Sequence, residues 1–540
     1  MAGQLTARGT HGIRLLCAAG WMVALLACRQ PVAQAVADVA ATPDTTVDVT
    51  IAACPGGQVP CGAACLPACA TPTSRTSAPS CACRDPSPPP VAKFAVTDNR
   101  FCLSVNLSGG SDAQAHARRQ FLYQQAKVLG VRTLRWHFLW AQVQPKAGTF
   151  DWSSVDPVVA ETQQAGLDLL AVVAYGNPWA SKAAQQDGND TQYPPDDPAT
   201  YANYAAALAA HISPTVHHYE IWNEQNAGYR FWKGEPDGFN GHPGHYATLL
   251  QLAAKAIHGV DPQAQVAYGG LFYAPQVILG AEAFLDQSLT ALPQLGAAFD
   301  AIAYHPYGAY PPLHPPEFSD PAGIVPQFPI DQCTQRITAV LANHGVTGKP
   351  HWITELGWPS VGGGDPQQVA RWLARAYVLA LAQDVQRLCW YTIDDSDPSA
   401  DGVPWEGAFG LYTFDADALD GSVAQPKPAA VAHQFLAENL RGFGYAGDES
   451  RDGARIHAFA DAAGSKVVHV LWDETLPVGA TVQQDPPRVI QWPRRAQRDY
   501  TLVTAVGTVE ALPSGAADGF LAVNVRASVG FLVEAVGVGR

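Results

Sequence analysis

Between Phe101 and Tyr391 the chain alternates short apolar runs, spaced like strands, with longer stretches carrying the 3.6-residue period of helices. The runs are Phe101–Val105, Val131–Trp136, Leu167–Val173, His218–Trp222, Gln265–Tyr268, Ala301–Tyr304, His351–Thr354 and Arg387–Tyr391. Strands that alternate with helices pair in parallel through crossovers and need apolar cover on both faces. Eight such units at roughly 41 residues each predict a closed (β/α)8 TIM barrel with decorated loops. A doubly wound open sheet is the alternative. No G-x-G-x-x-G turn follows an early strand to support it.

Local punctuation agrees with that alternation. A helix through Ala115, Phe121, Leu122 and Leu129 stops at Gly130, and another stops at Gly166. Asp156-Pro157 and Asp197-Pro198 each read as an N-cap followed by proline at the first helical position. Beyond Phe443 the pattern changes. Arg455–Phe459, Lys466–Trp472, Tyr500–Val503 and Phe520–Val525 are short strands between turns, which predicts a C-terminal all-β sandwich over 441–540, following a barrel over 92–440.

The N-terminal end reads differently. Arg8 and Arg14 precede an apolar run from Leu15 to Ala27, too short to span a bilayer and suited to an export signal over 1–28. Two processing sites stay open. Leu25-Leu26-Ala27-Cys28 resembles a lipoprotein box that would leave a lipid anchor on Cys28, and Ala33-Gln34-Ala35 fits ordinary cleavage that would release the protein to the periplasm or medium. Neither leaves a transmembrane span in the mature chain. Residues 29–91 read as linkers around an N-terminal Cys-rich segment: Cys54, Cys61, Cys65, Cys69, Cys81 and Cys83 form a disulfide framework more readily than a metal site, since no His lies among them. Cys102, Cys333 and Cys389 fall in the barrel, and three being odd, at least one is expected as a buried free thiol. A net charge of -15 opposes phosphate backbones and excludes nucleic acid as a natural partner.

Two strand ends carry carboxylates in a distinctive setting. Tyr219-Glu220-Ile221-Trp222-Asn223-Glu224-Gln225-Asn226 closes the fourth strand, and Trp352-Ile353-Thr354-Glu355-Leu356-Gly357-Trp358 the seventh. In a barrel both face the rim where active sites form. Two carboxyls about 5 Å apart, one protonated and one ionised, are what displacement at a glycosidic carbon with retention requires. The W-N-E and I-T-E-x-G strand ends, in this order, resemble glycoside hydrolase clan A, most nearly family 39 and related (β/α)8-barrel glycosidases. The resemblance covers about 340 residues from near Val96 to near Asn439. It implies Glu224 as acid/base and Glu355 as nucleophile of a retaining glycosidase that needs no cofactor and no metal. It further implies that Arg135 steadies Glu355, Tyr307 holds the nucleophile's other oxygen and Asn223 grips the sugar 2-hydroxyl. Gln225 stands where the common W-N-E-P form has proline.

Sugar rings lie flat on aromatic faces, so Tyr175, Trp179 and Trp390 are expected substrate contacts, with Trp140, Trp358 and Trp405 as further candidates. His305 is expected either to touch substrate or to satisfy a backbone carbonyl, and Glu220 either to compete with Glu224 or to lie buried and paired. His217-His218 cannot share one ion, because adjacent strand residues face opposite ways. The Pro-rich 306–329 and polar 181–197 stretches are expected to wall the cleft. The substrate expected is a polysaccharide or oligosaccharide. Two other functions are compatible with the same rim: a surface lipoprotein that binds glycan without turnover, and a transglycosylase that excludes water from the second step.

Overall fold

The computed structural model describes residues 90–536 except 236–239, 274–278, 308–313, 321–326, 361–364, 397–404, 414–423, 474–486, 513–519 and positions 108, 496 and 506; ahead of them it gives the backbone of 58–61, 64–67, 74–75 and 83–85. The export signal, Cys28 and the side chains of the N-terminal cysteines lie outside the described residues.

All eight expected strands form. They are β1 (Phe101–Ser104), β2 (Thr133–Leu139), β3 (Asp168–Ala174), β4 (His218–Asn223), β5 (Gln265–Phe272), β6 (Ala301–His305), β7 (His351–Leu356) and β8 (Arg387–Tyr391). Each pairs in parallel with its sequence neighbours, and β8 closes onto β1, which excludes the open sheet. Helices wrap the outside: α1 (Ala113–Val128), α2 (Asp156–Gln164), α3 (Pro198–Ile212), α4 (Pro243–Val260), α5 (Ala281–Ala291), α6 (Ile330–Asn343), α7 (Pro366–Ala382) and α8 (Pro428–Leu440). Among the described residues no helix is long and apolar enough to cross a membrane.

The helix punctuation is mostly as the sequence predicts. Gly130 and Gly166 take positive φ after α1 and α2, and Asp197 caps α3 through the backbone N–H of Ala199. Asp156 does not cap α2. It is the first helical residue, and its carboxylate instead meets His211 Nε2 on α3 at 2.6 Å.

Small residues fill the lower barrel interior, where Leu170, Ala267, Ala301, Ala303 and Trp352 pack with Cys102 and Cys389. The two cysteines are register partners on β1 and β8 and are joined by a disulfide across the seam where the barrel closes. Cys333 is the buried free thiol.

The C-terminal strands β9 (Gly444–Arg451), β10 (Ala454–Ala460), β11 (Lys466–Asp473), β12 (Arg488–Arg495), β13 (Arg498–Thr504), β14 (Phe520–Val525) and β15 (Gly530–Val536) make a two-sheet sandwich. Ile456, Leu471, Leu502 and Leu532 from one sheet meet Ile490, Trp492, Leu521 and Val523 from the other in a shared core. The chain ahead of the barrel joins both sheets: Phe94–Ala95 pairs with β9, and Cys83–Asp85 runs parallel beside β12. Phe435 on α8 packs edge-on against Phe531 of β15 at 4.8 Å.

Candidate active site

At the C-terminal ends of the strands an 18-residue lining encloses a cavity of about 250 Å³ that contains both sequence-predicted glutamates. Glu224 follows β4 and Glu355 lies within β7; carboxylate oxygens of the two, together with a ring nitrogen of His305, fall within 4.8 Å of one another. That spacing is near the roughly 5–5.5 Å of a pair acting on one carbon and shorter than the roughly 6.5–9.5 Å that admits a water between the carboxyls.

The chain is bent to put Glu224 there. Trp222 and Glu224 both take left-handed backbone angles, with φ of 69° and 51°. Such angles cost non-glycine residues roughly 1–3 kcal/mol each and persist only where surrounding contacts over-determine them. Those contacts run to β5. Glu224 N–H donates to the Gly270 carbonyl at 2.9 Å, Gln225 Nε2 to the Gly269 carbonyl at 2.9 Å, and Asn226 Nδ2 to the Phe272 carbonyl at 3.0 Å. Gln225, in the place of the common proline, therefore pins the turn with a buried amide.

Arg135 organises the Glu355 side. Its fully buried guanidinium donates Nε and Nη2 to Glu220 at 2.8 and 2.9 Å, Nη1 to Glu355 at 2.6 Å, and Nη2 to Asn223 Oδ1 at 2.7 Å. Glu220 is thus buried and paired with Arg135, the second of the two arrangements the sequence allowed. Tyr307 Oη donates to the other oxygen of Glu355 at 3.1 Å. Burial pushes Glu355 up, but the facing His305 ring and the Arg135 guanidinium outweigh it, and the carboxyl ends below the usual range.

Glu224 has the opposite balance. Burial raises its carboxyl and the negative Glu355 adds to that, while the His305 hydrogen bond only partly offsets them, so Glu224 sits above the usual carboxylate range. His305 is fully buried and does not line the cavity. Its Nδ1 lies 2.8 Å from Glu224 Oε1 and its Nε2 3.0 Å from Thr354 Oγ1, and that hydroxyl donates to Glu220. One continuous polar network therefore joins both carboxyls from behind.

Gly269-Gly270, at the end of β5, makes this network possible. A methyl group on Gly270 would collide with His305 Nε2 and crowd Glu220 Oε1. Gly270→Ala is expected to fold but to displace His305 and lower turnover on the order of 100-fold, the scale of a misplacement near 1 Å. Steady-state kinetics alongside circular dichroism measures this; unchanged kcat would show that the close packing is dispensable.

Of the other sequence-predicted contacts, Tyr175 and Asn223 line the cavity but Trp390 and Trp179 do not. Trp390 points out of the barrel against Trp358, and strand alternation gives the inward position to its neighbour Tyr391. Trp179 packs on Trp140 and donates to the Gln144 carbonyl. The expected walls also differ. From 306–329 only Tyr307 lines the cavity, part of that stretch lying outside the described residues, and 181–197 contributes none. Tyr229, Arg230 and Phe231 after β4, and Glu406 and Phe409 after β8, form walls instead. His137 on β2 was also not anticipated. Burial and Arg135 push it down to about 4, so it is neutral near pH 7, and its buried Nε2 has no partner among the described residues.

Glu224, His305 and Glu355 could together offer three metal ligands, but the buried Arg135 guanidinium bonded to Glu355 places a fixed positive charge beside that point, which disfavours a cation there.

No family model matches the sequence, and no curated protein matches it. The fold is similar to those of solved (β/α)8-barrel structures, several of them family 39 glycoside hydrolases. They include a family 39 glycoside hydrolase from the gut symbiont Bacteroides cellulosilyticus, with TM-score 0.60 and 19% identity over 82% of this chain and 83% of that one. A monomeric β-xylosidase from Caulobacter crescentus has TM-score 0.55 and 16% identity over 83% and 98%. A family 51 α-L-arabinofuranosidase from Bifidobacterium longum has TM-score 0.52 and 12% identity over 83% and 97%.

Proposed function

We propose that the protein is a retaining O-glycosidase in which Glu224 is the general acid/base and Glu355 the nucleophile. The observation that carries this reading is the asymmetry of two carboxyls meeting in one cavity, with Arg135 and Tyr307 on Glu355 and His305 on Glu224. Glu355, held ionised, attacks the anomeric carbon while Glu224 gives its proton to the leaving oxygen. The leaving alcohol departs and a glycosyl ester on Glu355 remains. Glu224, now ionised, takes a proton from water as that water attacks the anomeric carbon, which breaks the bond to Glu355 and releases the sugar and the free carboxylate. A binding-only protein has no use for oppositely biased carboxyls.

The substrate is a polysaccharide or oligosaccharide. Tyr175, Phe231, Tyr391 and Phe409 offer aromatic faces to a sugar ring, and Asn223, His137 and Arg230 offer polar edges. Proteins of similar fold include a β-xylosidase, a glucosidase, a xylanase and an α-L-arabinofuranosidase, which makes aryl xylosides, glucosides and arabinosides the first probes. We place the protein outside the cytoplasm, as a lipoprotein or released form. The seam disulfide supports an oxidising compartment.

Two kinetic outcomes test the acid assignment. Glu224→Ala should lose roughly 10²–10⁴-fold on a glycoside with a poor leaving group while keeping the burst of aryl alcohol from a dinitrophenyl glycoside. Equal losses on both would remove Glu224 from the acid role. With the poor leaving group, kcat/KM of the unaltered protein should fall at high pH as Glu224 loses its proton above the usual carboxylate range, and at low pH as Glu355 gains one below it. The high-pH limb should vanish in Glu224→Ala.

A further inference from the structure

The opposite mouth of the barrel, at the N-terminal ends of the strands, holds a cavity of about 670 Å³. Its lining includes Arg387 at the start of β8, Trp352 and His351 at the start of β7, His218 at the start of β4, and Lys349. Arg387 is 3% exposed, and its guanidinium lies over the Trp352 ring, 4.5 Å from the centroid.

Among the described residues no carboxylate forms an ion pair with Arg387. Among the described residues neither its Nε nor its Nη1 has a hydrogen-bond partner. The nearby carboxylates are committed elsewhere: Asp168 to Arg132 at 3.1 Å, Asp384 to Arg100 at 2.6 Å, and Glu220 to Arg135. Burial pushes Arg387 down to about 10 even though Asp168 and Glu220 pull the other way. A buried guanidinium without an acceptor is strongly unfavourable, so an acceptor is expected to be supplied from outside the chain.

The neighbours suit an anion. Burial holds His218 down at about 3 and His351 at about 4, so both are neutral near pH 7, and His351 Nδ1 is also buried without a partner. Lys349 adds a second cation at the wall. Its Nζ donates to the Phe299 carbonyl. Among the described lining residues Arg387 and Lys349 are the two cations, and the carboxylate beside them, Asp384, is paired with Arg100, in a protein whose net charge is -15.

We propose that this mouth is a binding site for a small oxyanion, carboxylate or phosphate, anchored on Arg387 and assisted by Lys349 and His351. Planar guanidinium and paired oxygens are matched in geometry, and Trp352 keeps the fork in plane beneath its ligand. The site is separate from the Glu224 rim and serves no step of the proposed hydrolysis.

The test uses the full chain, titrated in a calorimeter and by thermal melting with sodium phosphate and with sodium acetate, against sodium chloride at equal ionic strength. At least one oxyanion should bind saturably with a Kd near or below about 1 mM and raise the melting temperature in proportion to log concentration, whereas chloride should not. The stronger arm identifies the ligand as phosphate-bearing or carboxylate-bearing. Arg387→Met, which keeps the stem on Trp352, should weaken binding at least about 10-fold, and Lys349→Gln about 3-fold. If Arg387→Met fails to fold, Lys349→Gln and a crystal soaked in the stronger anion decide, with density for the anion on the guanidinium expected. Neither oxyanion exceeding chloride, affinity unchanged in folded Arg387→Met or in Lys349→Gln, or density for water alone at Arg387 would each overturn the proposal.

Discussion

Glu355→Gln is expected to give a folded protein whose turnover of an activated aryl glycoside falls by roughly 10⁵-fold or more, the scale seen when a nucleophile acting as part of a unit is removed. The amide fills the same space, and its oxygen can still accept from Arg135 Nη1. It cannot form the glycosyl ester. A good leaving group does not rescue this variant, since the missing step is bond formation to the sugar; this separates it from Glu224→Ala, where the leaving group decides. Stopped-flow release of aryl alcohol measures the effect, and a surviving burst would mean that another residue is the nucleophile.

Arg135→Met should show the largest loss of stability. The side chain is fully buried and holds two carboxylates, so removing it strands Glu220 and Glu355 in a low-dielectric interior. Breaking a buried pair in this way costs about 3–5 kcal/mol. The pH dependence has a definite sign. Because Glu355 is held below its unfolded value, its share of stability is present above the unfolded carboxylate range and disappears as pH falls through the folded one. The difference between the two proteins in denaturant unfolding should therefore shrink in acid. Where Arg135→Met still turns over, the acid limb of kcat/KM should move upward, since Glu355 has lost one of its cations. Equal stability at neutral pH, with an unmoved acid limb, would assign Arg135 no part in biasing the pair.

Barrel strands such as β1 and β3 were legible because they are buried on both faces and read as largely apolar runs, with helix stops such as Gly130 and Gly166 marking where strands begin. The sandwich was legible only in part. β9 is rich in polar residues, β12 carries Pro493 with three arginines, and β15 contains Glu534, whose buried carboxylate is held by Arg495 at 2.6 Å and His469 at 3.1 Å. A buried ion pair erases the alternation that marks a strand.

At the site, the strand-end motifs gave the residues whose positions follow from strand geometry: Arg135, Asn223, Glu224, Tyr307 and Glu355. Trp390 misled because an aromatic beside an aromatic gives no phase, and the inward side belonged to Tyr391. His305 was expected to meet substrate or a backbone carbonyl; its ring meets Glu224 and Thr354 instead, an arrangement that depends on the absence of a side chain at Gly270, one strand away. The walls from Tyr229 to Phe231 and at Glu406 and Phe409 come from loops, whose course no local periodicity records.

The anomeric form of the first product, followed by proton NMR on whichever aryl β-glycoside the protein turns over, tests the paired-carboxylate reading most directly. Two successive displacements through Glu355 predict that the β-anomer appears first and equilibrates only later by mutarotation. Initial release of the α-anomer would contradict the account.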